Sequence, residues 1–407
     1  MPTMYFDWRY WRKKKSFNWL KRVLLWLPTI AMVVYTIVLS TEKDFIPHDT
    51  TALYWYLFLL GVWTIPKTLA AICSFLGWLW CRFSKSKRNY GNLLAFFLSI
   101  ACIFVVIYGS TLGVKKLVVE HQDLYFKDLP KAFDGYKLVH ISDLHVGTYT
   151  GERQAFLAQV IDSVNAQKAD LIAFTGDLQN VQPSELYEHE NLLRSLKAKD
   201  GVYSVLGNHD YSEYIKKDEA IKRAYEKETV SLEKRFGWNL LMNENRSIHR
   251  LNDSIVVVGT ENDGVPPFPH KADIKKAMQN VKANSFVLFL QHDPSAWDRN
   301  ILPNSHAQLT LSGHTHGGQV SIGSLRPTML KYKEDRGLYE HDKRMLYVST
   351  GVGGVLPFRF GVPPTITVIT LQDETLISHL SAFYSTSSHR FSHVVNSFSN
   401  NHWLHNR

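Results

Sequence analysis

The sequence predicts an α/β part preceded by an all-α membrane module. Three observations carry this division. The first 116 residues hold 15 Lys/Arg against 4 Asp/Glu, a net of +11, while the remainder nets −2. The same 116 residues contain long stretches without charge and all three cysteines, Cys73, Cys81 and Cys102. From Lys137 onward, short apolar runs alternate with helical periodicity and turn signals, the mark of an α/β sheet. The chain as a whole is basic, at +9, which on its own would suggest an acidic polymer as partner. Since the excess sits entirely on the membrane module, a nucleic-acid-binding domain is disfavoured.

Val23–Ser40 and Leu93–Leu112 are uncharged and long enough to cross a hydrocarbon core of about 30 Å as helices. Thr51–Cys81 is apolar except for Lys67 and would form one helix of roughly 46 Å, tilted or kinked at Pro66. Three spans are therefore expected. Arg9, Arg12, Lys13, Lys14, Lys15, Lys21 and Arg22 precede the first, and Arg82, Lys85, Lys87 and Arg88 lie between the second and third. Those flanks read as cytoplasmic, so everything beyond Lys116 is expected outside the cytoplasm, although Lys115 and Lys116 weigh against this. Tyr5, Phe6, Trp8, Tyr10 and Trp11 read as ordinary belt aromatics.

In the second part, Leu138–Ile141 reads as a buried strand, and Phe156, Leu157, Val160, Ile161 and Val164 follow at helical spacing. Strands are expected at Leu171–Phe174, Val202–Leu206, Ile255–Val258, Phe286–Leu290, Leu309–Leu311, Leu346–Ser349 and Ile366–Ile369. A helix is expected over Ser184–Leu196, and Ser212–Arg235 reads as an exposed helical insertion. The expected boundaries are a membrane module 1–116, a linker 117–131, an α/β domain 132–372 and a polar tail 373–407.

Five polar clusters each follow an expected strand: Asp143-Leu144-His145, Gly176-Asp177-Leu178-Gln179-Asn180, Gly207-Asn208-His209-Asp210, His292-Asp293 and Gly313-His314-Thr315-His316-Gly317-Gly318-Gln319. Singly these are ordinary turn or cap sequences. Reacting groups in α/β sheets gather at the carboxyl ends of strands, so five clusters at five ends can converge on one site. The part after residue 116 contains no cysteine, so any metal there must be held by nitrogen and oxygen. Asp143, Asp177, Asn208, His145, His292, His314 and His316 form a set suited to manganese, with iron or zinc as alternatives. Two ions would need a bridging carboxylate, for which Asp177 is the natural candidate.

This order of motifs resembles the calcineurin-like metallophosphoesterase family, in particular its membrane-tethered or exported bacterial branch. The resemblance covers roughly residues 132–372, including Val348-Ser349-Thr350-Gly351 and Leu356-Pro357-Phe358-Arg359-Phe360. It implies a two-sheet sandwich flanked by helices. It also implies one divalent metal on Asp143, His145, Asp177 and His316, and a second on Asp177, Asn208, His292 and His314. Pro363-Pro364-Thr365 departs from the Pro-Glu pair often found before that branch's final strand.

The expected function is hydrolysis of a phosphate ester by metal-activated hydroxide, with His209 facing the leaving oxygen and Asp210 orienting a histidine. A phosphodiester is favoured, and tethering to the membrane plane points to a lipid-linked substrate. The loop Gly264–Pro269 is a candidate apolar lip for an acyl chain. The alternative is a membrane sensor or scaffold with a catalytically weak domain.

Overall fold

A computed structural model describes residues 2–12, 14, 16–42, 44 and 50–375. Most of the expected polar tail and the basic residues Lys13 and Lys15 therefore lie outside the described residues.

The apolar stretches form three membrane-length helices, Trp19–Ser40, Thr51–Ser84 and Gly91–Lys115. The second is continuous but irregular, with a wide π-type turn at Leu60–Thr64 just before Pro66. Proline lacks an N–H and collides with the carbonyl four residues earlier, here Val62, so the hydrogen-bond ladder widens over that turn. The N-terminal aromatics fold onto this helix. The Tyr5 and Tyr10 hydroxyls lie 3.0 and 2.6 Å from Ser74 Oγ, and Trp8 meets Trp78 edge-on.

Twelve strands follow: β1 (Val118–Phe126), β2 (Tyr136–Ile141), β3 (Leu171–Phe174), β4 (Val202–Ser204), β5 (Asn239–Leu240), β6 (Glu244–Arg250), β7 (Asp253–Gly259), β8 (Phe286–Leu290), β9 (Leu309–Ser312), β10 (Gly337–His341), β11 (Arg344–Val348) and β12 (Thr365–Asp373). They make two six-stranded mixed sheets, β1-β12-β2-β3-β4-β5 and β10-β11-β9-β8-β7-β6. Within them β2, β3 and β4 run parallel, as do β7, β8, β9 and β11.

The alternation of side chains along each strand builds three apolar layers. Leu138, Leu171 and Ala173 of the first sheet meet Val257, Leu288 and Leu311 of the second between the sheets. On the outer face of the first sheet, Val139, Ile141, Ile172 and Phe174 pack under the helix Gln154–Ala166, through Leu157, Val160, Ile161 and Val164. On the outer face of the second, Val256, Val258, Val287 and Phe289 pack against Trp297 and Ile301.

Three expectations change. The segment expected to be a linker contains β1, which pairs in parallel with β12 and buries Leu124 and Phe126 between the sheets. Only those two residues of Val118–Phe126 are buried, so apolar alternation along the segment was too thin to mark a strand. The expected helix Ser184–Leu196 is instead a tight 3₁₀ stretch, Pro183–His189, running into one α turn, Glu190–Leu193. The charged segment is a docked helix, Glu219–Arg235, with Thr229, Leu232 and Glu233 buried. The Ser204 hydroxyl donates to Glu233 Oε2 (2.6 Å), and Thr229 donates to Gln179 Oε1 (3.0 Å), fastening this helix to the first sheet.

His140 sits fully buried between the sheets, with Nε2 2.9 Å from Thr175 Oγ1. Burial lowers its pKa from 6.5 to about 3. In that window the unfolded chain binds the proton and the native chain does not. Its contribution is therefore complete above pH 6.5 and is lost as pH falls toward 3. Denaturant titrations of His140→Phe between pH 6.5 and 5 are expected to show a pH slope shallower by up to one proton, about 1.4 kcal/mol per pH unit.

Candidate metal centre

Each of the five clusters leaves the carboxyl end of a parallel strand, and the two sheets bring those ends to one edge. Asp143, His145, Asp177 and His316 each offer a ligand atom within 4.8 Å of the others, and Asp177, His292 and His314 form a second such group. Asp177 belongs to both. Its Oδ2 lies 3.2 Å from His292 Nε2 and 3.6 Å from His145 Nε2. Asn208 joins the second group through Oδ1, 3.2 Å from the same His292 nitrogen. All seven residues expected as ligands are thus assembled.

The backbone carries strain to make this possible. Asp143, His145, Asp177, His314 and His316 all have φ between 49° and 70°, the left-handed region. For residues with a β-carbon this costs of order 1 kcal/mol each, and such positions persist where surrounding structure enforces them. Gly207 and Gly313 have no such φ; they are needed for proximity. A β-carbon on Gly207 would collide with Asp177, and one on Gly313 with Ser142 Oγ and Asp143 Oδ2.

Hydrogen bonds orient the donors. His292 Nδ1 donates to the Thr175 carbonyl (2.7 Å), which turns Nε2 toward Asp177. The His314 amide donates to both Asp143 oxygens, at 3.0 and 3.1 Å. His314 Nε2 lies 2.8 Å from the Tyr332 hydroxyl, and Asn208 Nδ2 donates to Tyr214 Oη at 2.7 Å. Burial lowers His145 to about 3 and His314 to about 4, keeping both imidazoles neutral, the state a ligand requires. Burial acts to raise Asp177, but His292, His209 and His145 together hold it well below the ordinary carboxylate range. His292 responds in the opposite sense: burial would lower it, yet Asp177 and Asp143 raise it to about 10.

The donor set fits a divalent cation. Both ring nitrogens of His145 are buried without a hydrogen-bond partner among the described residues. A buried ring nitrogen without a partner is costly, and a cation between His145 and Asp177 would take the lone pair of Nε2, the nitrogen that faces Asp177 Oδ2 at 3.6 Å. Imidazole nitrogens and carboxylate oxygens shared between two groups are a donor set suited to divalent transition-metal ions.

His209 and Asp210 separate in role. His209 is half-buried, its ring 4.8 Å from His145, with Nδ1 donating to the Asn180 carbonyl (2.6 Å). The carboxylate of Asp210, expected to orient a histidine, makes its hydrogen bonds to backbone amides among the described residues. It is fully buried and accepts from the amides of Asp177 (2.9 Å), Leu178 (2.9 Å), Gln179 (3.3 Å) and Gly207 (2.8 Å). The physical reason is the tight turn after β4, which points the carboxylate back at the loop following β3. Asp210 therefore clamps two ligand loops together.

Tyr214, Tyr332 and Arg359 escaped sequence reasoning as site residues. Tyr214 and Tyr332 lie in charged loops without periodicity. Arg359 is buried, donates to the Thr350 carbonyl (2.7 Å) and to the Gly353 carbonyl, and lies 3.4 Å from His316 Nδ1. Its position in the closing Pro-Phe-Arg-Phe run was visible, but its role was not.

Asp210→Asn removes one acceptor oxygen and leaves buried amides unpaired, at a cost of about 2–4 kcal/mol. Thermal unfolding and metal analysis are expected to show Asp210→Asn less stable and poorer in bound metal. His209→Gln is expected to match the parent in both.

Comparison with known proteins agrees with this geometry. Residues 136–318 match a family described as "Calcineurin-like phosphoesterase". Residues 1–114 match "Probable Calcineurin-like phosphoesterase, transmembrane domain". The short name of that second family counts four spans, whereas three helices of the described residues are long and apolar enough. The uncharacterized metallophosphoesterase YkuE of Bacillus subtilis is 31% identical over 65% of this chain and 90% of its own length. The UDP-2,3-diacylglucosamine pyrophosphatase LpxG of Chlamydia trachomatis is 28% identical over 60% of this chain and 86% of its own. The uncharacterized metallophosphoesterase Cj0846 of Campylobacter jejuni aligns over 91% of this chain and 95% of its own at 24% identity. With its ligand loops assembled at one sheet edge and its membrane helices in place, the chain belongs to the calcineurin-like metallophosphoesterase family, as a membrane-associated, metal-dependent phosphoester hydrolase.

Proposed function

We propose that the chain is a dinuclear hydrolase that cleaves a phosphodiester or pyrophosphate bond in a lipid-linked substrate on the extracytoplasmic face of a membrane. The observation that carries the dinuclear reading is Asp177, whose carboxylate serves both ligand groups. One ion would sit on Asp143, His145, Asp177 and His316, the other on Asp177, Asn208, His292 and His314. When bound, such ions lower the pKa of a water and neutralise charge on phosphoryl oxygens. Water attacks phosphorus in line and releases a proton to solvent, the P–O bond to the leaving group breaks, and His209, carrying a proton on each ring nitrogen, gives the one on Nε2 to the departing oxygen. The bond from His209 Nδ1 to Asn180 leaves Nε2 as the nitrogen free for that transfer. Manganese is the favoured metal, given the mixed nitrogen and oxygen set.

The lipid-linked reading is supported by apolar surface at the mouth. Phe268 stands edge-on to His314 at 4.7 Å. The segment leading to Tyr332 exposes Ile322 (69%), Leu325 (72%) and Leu330 (94%), far more apolar surface than a water-facing loop usually offers. That segment is joined to the membrane module: Ser321 N donates to Phe360 O, and the Phe360 ring meets Phe104 and Tyr108 of the third helix. The chlamydial LpxG relatives, named as UDP-2,3-diacylglucosamine pyrophosphatases, favour the same substrate class.

The orientation reading rests on which ends meet. The catalytic domain touches Asp44, between the first two spans, through the Lys216 amide (2.8 Å), and Gly109, near the end of the third, through the Arg359 amide (2.9 Å). Both contacts lie opposite the basic flanks.

Purified full-length Asp177→Asn is expected to lose hydrolysis and to bind less than one metal per chain by elemental analysis. Near-normal metal-dependent turnover would overturn the bridging role. His209→Gln is expected to keep its metal while turnover falls about 10²–10⁴-fold. A C-terminal reporter active only outside the cytoplasm is expected to be active.

A further inference from the structure

Where the catalytic domain meets the membrane helices, the two enclose a cavity of about 570 Å³ that none of the seven candidate ligands lines. Its walls come from Thr51 at the start of the second helix, Ser110–Lys115 at the end of the third, the stretch Thr148–Phe156, and the run Leu356–Arg359. A smaller cavity of about 270 Å³ adjoins it and shares Thr51, Thr148, Thr150 and Arg153.

Depth, charge and polarity define the occupant. The Arg359 amide is bonded to the Gly109 carbonyl, and Phe358 packs where a β-carbon on Gly109 would sit. The closing run is therefore fixed beside the last turns of the third helix, and the cavity lies where that helix leaves the hydrocarbon. Lys115 and Arg153 face this space against a single acid, Glu152. The Arg153 guanidinium stacks over the Tyr54 ring at 5.2 Å, and among the described residues neither cation is in an ion pair. Phe156, Leu356 and Phe358 supply an apolar wall. Cations at headgroup depth beside apolar surface match a phosphate carried on a lipid. The same arrangement accounts for basic residues at the end of a span where the charge rule does not call for them.

We propose that this junction cavity binds the headgroup of an anionic membrane phospholipid, with Arg153 and Lys115 on its phosphate and the Phe156–Phe358 wall against its glycerol and upper acyl carbons. The site is separate from the metal centre but adjoins its back. The cavity wall Val352–Gly354 is tied to Asp143 by the bond from Gly353 N to Asp143 O (2.7 Å), and to Thr148, whose hydroxyl donates to Gly354 O (2.7 Å).

The test uses the intact chain in nanodiscs of phosphatidylcholine alone or with phosphatidylglycerol, and reads thermal unfolding, so it is independent of any assignment of substrate. Phosphatidylglycerol is expected to raise Tm by about 2–4 °C. The rise should vanish in the double variant Lys115→Gln/Arg153→Gln and persist in Lys282→Gln, an exposed lysine away from the cavity. An equal rise in the double variant, or no rise in the parent, overturns the proposal. So does an equal rise from millimolar inorganic phosphate in phosphatidylcholine discs, which would make this a site for a soluble anion.

Discussion

A carboxylate buried among imidazoles is the constraint on which this catalytic domain is organised. Asp177 is 1% exposed, and a buried charge is tolerated only when fully paired. His145 and His292 flank one oxygen, and the His209 amide donates to the other at 2.9 Å. The Asp177 amide is in turn held by Asp210. Its left-handed backbone is therefore enforced from both sides. The same pairing ties the loops after β3, β4 and β8, and through His145 the loop after β2, to one point.

The sandwich makes that convergence possible. Because β2, β3 and β4 are parallel in one sheet and β8 and β9 in the other, their carboxyl ends lie along one edge. The core between the sheets is built from aliphatic side chains on alternating positions, so successive residues at a strand end emerge with fixed direction. Rigid strands then hold loops whose own backbone is strained, and the left-handed conformation falls on the donors themselves as well as on neighbouring Gly176 and Gly317, where it costs little.

The site was legible because its chemistry is local: short runs such as Asp143-Leu144-His145 put donors on one strand end, whatever the partners. The spans were legible for a similar reason, since uncharged length needs no tertiary context. What stayed hidden depends on pairing between distant segments. β1 is a strand because β12, more than 200 residues away, offers it an edge. Asp210 looked like a histidine partner because sequence proximity to His209 says nothing about where a tight turn aims the carboxylate. The helix Glu219–Arg235 looked exposed because its charges hide a buried face whose Glu233 is paired with Ser204.

Phe358 and Phe360 have a consequence for how the domain exists apart from its helices. Both rings rest on the third helix, at Gly109 and at Phe104 and Tyr108, and Arg359 between them donates its amide to that helix while its side chain braces the loop carrying His316. Cutting the chain before β1 would bare two aromatic rings and leave the brace without its seat. A soluble fragment would be a sticky and loosened version of the catalyst, and the helices are better regarded as the missing third wall of the domain than as a leash.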